Sequence, residues 1–245
     1  MNTQLPFFIL PQPTETTCGP TCLHAIYKYY NDEIPLDRVI KEVTAFDEGG
    51  TLAVFLGCHA LQRGYTAKII TYNLQMFDPT WFADGEAVPG LYEKLEKQAG
   101  IKTKTKLRIA TKGYLEFLEN GGSICFQDLN SSLIRKYLKK GIPILTGLSS
   151  TYLHRCAREN PETCVEDSIG GFPTGHFVVL YGYDREERLV DIAEPLYPNP
   201  LNAGQYYRER IERVICAILL GILTYDANLL IIEKPEEVNG ESDSC

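Results

Sequence analysis

The chain has 245 residues, 44% hydrophobic and 23% charged, enough for an ordinary core in one domain or for a small core with a large insertion. Its formal net charge of −8 argues against nucleic acid or an anionic membrane surface as the main partner. No basic segment followed by a long apolar stretch opens the chain, and the longest apolar run, residues 214–223, is well short of the ~20 residues of a membrane span. The eight cysteines are therefore expected as reduced thiols in a cytoplasmic protein. Cys156 and Cys164, which share one polar loop, have the best claim to a bridge, but a reduced loop is the expectation.

In chain order, residues 7–10 read as an edge strand or extended arm closed by Pro11 and Pro13. Thr17 is a candidate N-cap for a helix over 18–30, whose apolar face is Leu23, Ile26, Tyr27 and Tyr30. A second helix spans about 35–43. After Gly49-Gly50 breaks the chain, Thr51 caps a third helix to about Arg63, which Gly64 ends. A strand follows over 66–72. Residues 73–90 are irregular, then come helices over 91–98 and 112–119, a strand over 123–126 and a helix over 131–140. The basic residues Lys97, Lys102, Lys104, Lys106 and Arg108 read as a solvated helix face. The strand over 142–148 is apolar on both faces and so central. Residues 149–174 form a long polar loop of the kind used as lids. A hairpin follows, strands 176–183 and 188–192 around a turn at 184–187. A helix over 205–220, a strand over 229–232 and an acidic tail complete the chain. The domain reading is one unit over 1–235, with 73–140 as an insertion and 149–174 as a lid, followed by the tail 236–245.

Chemistry concentrates in a few residues. Cys18 stands where a helix begins, and the amide dipoles of a first turn favour a thiolate. Gln12, six residues upstream, offers a side-chain amide as one oxyanion donor, with the Cys18 backbone N–H as the second. Gly19 removes a side chain that would crowd an incoming carbonyl, and it joins Gly175 as a substrate-binding candidate. Of four histidines, His176 opens an apolar strand where packing does not account for it, and it suits a general base facing a cleft. His24 and His59 lie within helical patterns, and His154 sits in the long loop with no identifiable partner. For the carboxylate that orients His176, Asp191 and Glu194 compete. With the turn centred near Arg185, strand alternation puts Glu194 on the side of His176 and Asp191 on the other, which favours Glu194. Asp184 is a turn residue. No cofactor motif or phosphate loop is present, and His154, Cys156 and Cys164 make at most a weak metal site for want of a fourth ligand.

The run Gln12 to Pro20 with Cys18-Gly19-Pro20, the run Gly175-His176-Phe177-Val178-Val179 and the pair Glu194-Pro195 resemble the bacteriocin-processing, double-glycine leader peptidases, papain-like cysteine peptidases of family thirty-nine of the cysteine class. The resemblance covers about 5–72 and 141–196. It implies an α+β, papain-like fold, with a helical subdomain carrying Cys18 packed on an antiparallel sheet carrying His176. It also implies a peptide or protein substrate. The chain departs from the pattern at Glu194-Pro195, where the family has Asp-Pro, and it lacks the transporter segments that often accompany such peptidases, so leader cleavage coupled to export is not implied. The leading expectation is a cysteine peptidase acting through an acyl-enzyme. An acyl- or peptidyl-transferase using the same site and a non-catalytic peptide-binding module are the competing readings. Fold alone does not decide between the first two.

Overall fold

The computed structural model describes residues 2–47, 49–201, 203–224 and 226–235. In order these form β1 (Thr3–Gln4), α1 (Cys18–Tyr29), α2 (Leu36–Glu42), α3 (Ala53–Gln62), β2 (Thr66–Thr71), β3 (Phe82–Ala83) and β4 (Glu86–Ala87). Next come α4 (Leu91–Ile101), α5 (Thr105–Glu119), β5 (Ser123–Cys125), α6 (Ser131–Lys139), β6 (Ile144–Ser149) and α7 (Ser150–His154). The chain continues with β7 (Gly175–Asp184), β8 (Leu189–Ala193), β9 (Tyr206–Arg210), α8 (Ile211–Leu220) and β10 (Asn228–Glu233). The expected acidic tail, 236–245, lies outside the described residues.

The strands form one sheet in the order β3-β4-β5-β2-β10-β6-β7-β8-β9, with β1 paired to β7. Every pairing is antiparallel except β2 with β5. Side chains alternate between the two faces of a strand, and here each face carries its own core. Phe177 and Val179 of β7 pack with Leu23 and Ile26 of α1, Leu56 of α3 and Phe117 of α5. Val178 and Leu180 face the other way, onto Ile134 and Leu138 of α6 and Val214 and Ile218 of α8. The central strands are therefore apolar on both faces, as the run 142–148 suggests. The architecture is the expected α+β, papain-like one: the helix that begins at Cys18 lies against the sheet that carries His176.

Three local readings are corrected. The helix expected over 205–220 starts only at Ile211, because residues 206–210 are a strand paired to β8. Tyr206 to Arg210 alternate exposed and buried with period two, and without this strand β8 would be an open edge. The loop expected over 149–174 begins with α7, whose N-cap is the Ser149 hydroxyl accepting from Tyr152 N at 3.4 Å. Thr51 does not cap α3. Its hydroxyl donates to Thr44 O at 2.6 Å, and the N-cap position is Leu52. The segment 73–140 supplies α4, α5 and α6 and the sheet edge β3-β4-β5.

Candidate active site

The turn before α1 prepares the thiol's surroundings. Thr17 donates to Thr14 O through both its N–H, at 3.2 Å, and its hydroxyl, at 2.9 Å, and that hydroxyl accepts from Thr14 N at 3.1 Å. Thr17 occupies the N-cap position, but its oxygen is spent on this turn and no side chain caps α1. No capping side chain takes up the N–H groups of Cys18 and Gly19, and the positive end of the helix dipole lies at Cys18, a partly exposed residue. Gly19 is buried and does not line the cavity at the site. A carbon in place of its hydrogen would come within 2.7 Å of Thr51 Cγ2, so the glycine lets α1 approach Thr51, Leu56 and Phe177 rather than clearing a path for substrate. One turn on, the buried thiol of Cys22 donates to Phe177 O at 3.3 Å and pins α1 to β7.

His176 is the second residue of β7, and Glu194 follows the last residue of β8. The ladder pairs Val179 with Ala193, which continued by one step sets Glu194 level with Val178 rather than with His176, and it is irregular between Leu180 and Gly182. The turn is thus centred further along than expected, by an odd shift, but the irregularity between Leu180 and Gly182 makes the shift even at the far end and leaves Glu194 and His176 on the same face. Glu194 reaches His176 diagonally, a span that long side chains cover. The extra methylene of Glu over Asp suits this reach. Asp191 lies opposite Gly182 and pairs with Arg208 Nε at 3.2 Å, away from His176. Asp184 accepts from Glu186 N and Glu187 N in the turn.

Glu194 is fully buried, and its carboxylate is surrounded by donors. Oε1 accepts from His176 Nε2 and, at 3.1 Å, from Leu196 N. Oε2 accepts from His154 Nε2 at 3.2 Å and from Tyr207 OH at 3.1 Å. Burial alone would raise the carboxyl's pKa, but the charge of His176 and the hydrogen bonds of His154 and His176 outweigh it and bring it down to about 2. An ionised carboxylate only accepts, so Nε2 of His176 carries the proton in this bond. Nδ1 is the ring nitrogen that Glu194 does not engage, and Cys18 lies near enough for its charge to act on the imidazole. Burial pushes the imidazole's pKa down, but Glu194 and Cys18 more than reverse this, and His176 titrates well above the ordinary histidine value. That direction favours the imidazolium.

Gln12 is tied to the segment that follows Glu194. Its backbone N–H donates to Pro195 O at 2.8 Å, and its side-chain Nε2 donates to Thr14 O at 3.0 Å. One hydrogen of the amide nitrogen remains for another acceptor. A cavity of about 280 Å³ opens next to Cys18 and His176, lined also by Glu15, Phe46, Gly175, Phe177 and Asp226. Gly175 is a site of close approach, since a side-chain carbon there would fall 2.5 Å from Thr224 Oγ1. The Asp226 carboxyl accepts from Ala53 N at 3.1 Å and Asn228 Nδ2 at 3.0 Å, and burial raises its pKa to about 7.

The structure thus brings His176 and Glu194 into contact, sets Cys18 and His176 in one cavity, ties the Gln12 backbone to Pro195, and leaves Gln12, Asp191 and Gly19 out of the cavity lining. His154, Tyr207 and Asp226 are the residues that sequence reasoning passed over. His154 had one local signal, the Ser149 cap, which makes residues 150–154 a helix rather than loop. Tyr207 had another, the strand alternation of 206–210. Among the described residues all seven cysteines are free, Cys156 and Cys164 included, and no three or more His, Cys, Asp or Glu side chains group as a metal site.

The model of the Peptidase C39 like family matches residues 4–214. The chain belongs to that family and is a cysteine peptidase. No curated protein matches it. Among solved structures it is similar to a C39-like peptidase from Bacillus anthracis described as putative, at 14% identity over 96% of this chain and 98% of that one, with a TM-score of 0.49. It is also similar to a double-glycine-motif protease from an AMS/PCAT transporter, solved in complex with the leader peptide, at 14% identity over 95% of both chains and a TM-score of 0.45. A third, xylellain, a cysteine protease from Xylella fastidiosa, is 15% identical over 96% of this chain and 86% of that one, with a TM-score of 0.44. Membership rests on the family model rather than on these distant likenesses. No helix among the described residues is long and apolar enough to cross a membrane.

Proposed function

We propose that this peptidase hydrolyses a peptide or amide bond of a peptide or protein substrate through an acyl-enzyme on Cys18. In this reading the Cys18 thiolate attacks the scissile carbonyl carbon. The resulting oxyanion takes hydrogen bonds from the Cys18 backbone N–H and the Gln12 amide. As the tetrahedral intermediate collapses, the C–N bond breaks and the Nδ1 proton of His176 goes to the leaving amine. Nδ1 then takes a proton from water, the hydroxide attacks the thioester, and the carboxylic acid leaves as the thiolate reforms. Glu194 holds the ring by its Nε2–H and favours the imidazolium. The observation that carries this reading is the fully buried, ionised Glu194 bonded to His176, which lines one cavity with Cys18, a thiol at an uncapped helix start. Gly175, at the cavity wall, is proposed to contact the substrate.

Mass spectrometry after limiting iodoacetamide at mildly acidic pH tests the site. The alkyl group is expected on Cys18, and His176→Ala is expected to abolish that selectivity. Burial raises the pKa of Cys22, Cys58, Cys125 and Cys156 and keeps those thiols protonated, so they compete poorly. Alkylation mainly at Cys164 or Cys216 would overturn the assignment. We also propose that 1–235 is one domain with 73–140 as an insertion at the sheet edge and that the protein works in the cytoplasm, a reading supported by its free thiols.

A further inference from the structure

Glu194 is bonded to two imidazoles, and the proposed chemistry uses one. His154 bonds the other oxygen of Glu194: its side chain is 2% exposed and gives its Nε2–H to Oε2. Its ring meets that of His176 edge-on at 6.0 Å. A single donor on a carboxylate leaves the group free to swing about its last torsion, a broad one. Donors on both oxygens fix its plane. Here Oε1 is shared by His176 and Leu196 N, and Oε2 by His154 and Tyr207 OH, so the direction in which Oε1 faces His176 is set by what holds Oε2.

The two holders of Oε2 are themselves tied together. The residue after His154, Arg155, turns the chain with a φ of 57° and pairs with Glu209 at 2.9 Å, and Glu209 is two residues from Tyr207 on β9. Arg213 of α8 binds Tyr152 O at 2.7 Å. The base of the long loop 155–174 is thereby anchored to the same carboxylate that orients the catalytic imidazole.

We propose, building on the reading of Cys18, His176 and Glu194 as the catalytic set, that His154 is a positioning residue that fixes the Glu194 carboxylate for His176 by donating its Nε2–H. The donated bond, rather than a charge, is what His154 supplies. A second imidazolium would share the single negative charge of Glu194 and weaken its hold on the first. The titratable and charged groups around the pair are His176 from β7, Tyr207 and Glu209 from β9, Arg213 from α8, Cys18 and Cys22 from α1, and Arg155 beside His154 itself.

The test uses the full chain and two substitutions. His154→Leu removes the donor, and His154→Gln keeps an N–H near the position of Nε2. For His154→Leu, kcat on a peptide substrate should fall between about 10- and 100-fold with KM within about two-fold, because the loss lies in alignment rather than in binding. The pH limb of Cys18 alkylation should shift with it, and His154→Gln should restore both to within about three-fold of the parent. A His154→Leu protein with parental kcat and an unmoved alkylation limb overturns the positioning role, as does a His154→Gln protein no better than His154→Leu. Absence of acid-side alkylation at Cys18 in the unsubstituted protein would instead sink the catalytic reading itself. Should His154→Leu fail to fold, nitrogen-15 spectra of the unsubstituted protein decide. They should show His154 protonated at Nε2. A His154 without the Nε2 proton overturns the inference.

Discussion

All four neighbours of the Glu194 carboxylate are donors: two imidazoles, a phenol and a backbone amide. A glutamine there would keep the shape but turn one acceptor into an NH2 group facing a donor. It would also remove the charge that favours the imidazolium. Glu194→Gln is therefore expected to lower kcat/KM by ~100-fold or more, as removal of a working acid–base partner does. Asp191→Asn, whose side chain meets Arg208 instead, should stay within about three-fold of the parent. Steady-state kinetics on one substrate checks both, and the reverse order would return the third role to Asp191. Gln12→Ala should cost about 100- to 1,000-fold in kcat with little change in Tm, the cost of one oxyanion donor. Equal kcat for the two proteins would mean that the free amide hydrogen of Gln12 points elsewhere. Cys18, His176 and the Glu194 partnership were legible because each depends on local cues: a helix start, a polar residue opening an apolar strand, and strand parity. His154 and Asp226 were not, since their partners are chosen by tertiary contact between segments far apart in the chain.

At the scale of elements, parity proved more robust than register. The hairpin register differs from the expected one by an odd shift next to the turn, and the irregularity between Leu180 and Gly182 makes it even at Glu194, which returns Glu194 and His176 to the same face. The missed strand β9 has the opposite lesson. The apolar residues of α8 carried the helical reading back into 206–210, although two tyrosines and alternating burial suit a strand covering the edge of β8. Strand β7 is also set by an element that packs against its first residue, the turn at Gly221–Thr224. Gly175→Ala would bring a carbon against Thr224 Oγ1 and displace the start of the strand, including His176. Circular dichroism should report an intact fold while kcat drops ~10-fold or more, and a second change, Thr224→Gly, should recover part of the loss. No recovery would indicate that the added methyl group blocks substrate instead.

Across the whole molecule, two buried carboxyls impose opposite pH dependences. The carboxyl of Glu194 is held at about 2 against an ordinary 4.5, so its contribution to stability is present above about pH 4.5 and is lost as pH falls toward 2. The carboxyl of Asp226 is raised to about 7 from 3.8, so the folded state binds its proton more tightly and stability falls as pH rises through that window. Urea unfolding across pH should therefore show Glu194→Gln with a flatter acid limb than the parent. Asp226→Asn should gain ~2 °C or more in Tm above about pH 8, where burial no longer penalises a charge, and gain less near pH 4. An Asp226→Asn protein that loses stability at both pH values would mean that the bonds from Ala53 and Asn228 matter more than the buried charge.

The thiol and its base come from opposite ends of the chain, Cys18 from the first helix and His176 with Glu194 from the far hairpin. Synthesis runs from the N-terminus, at ~5–20 residues per second. For the greater part of translation the nascent chain thus exposes a cysteine that has no imidazole to activate it and no carboxylate to hold that imidazole. The chain acquires a cutting edge only when its second half has been made and has folded back onto α1. In the proposed mechanism a fragment cut short before Glu194 would be inert toward its neighbours on the ribosome, so the order of the residues along the chain acts as a safety catch.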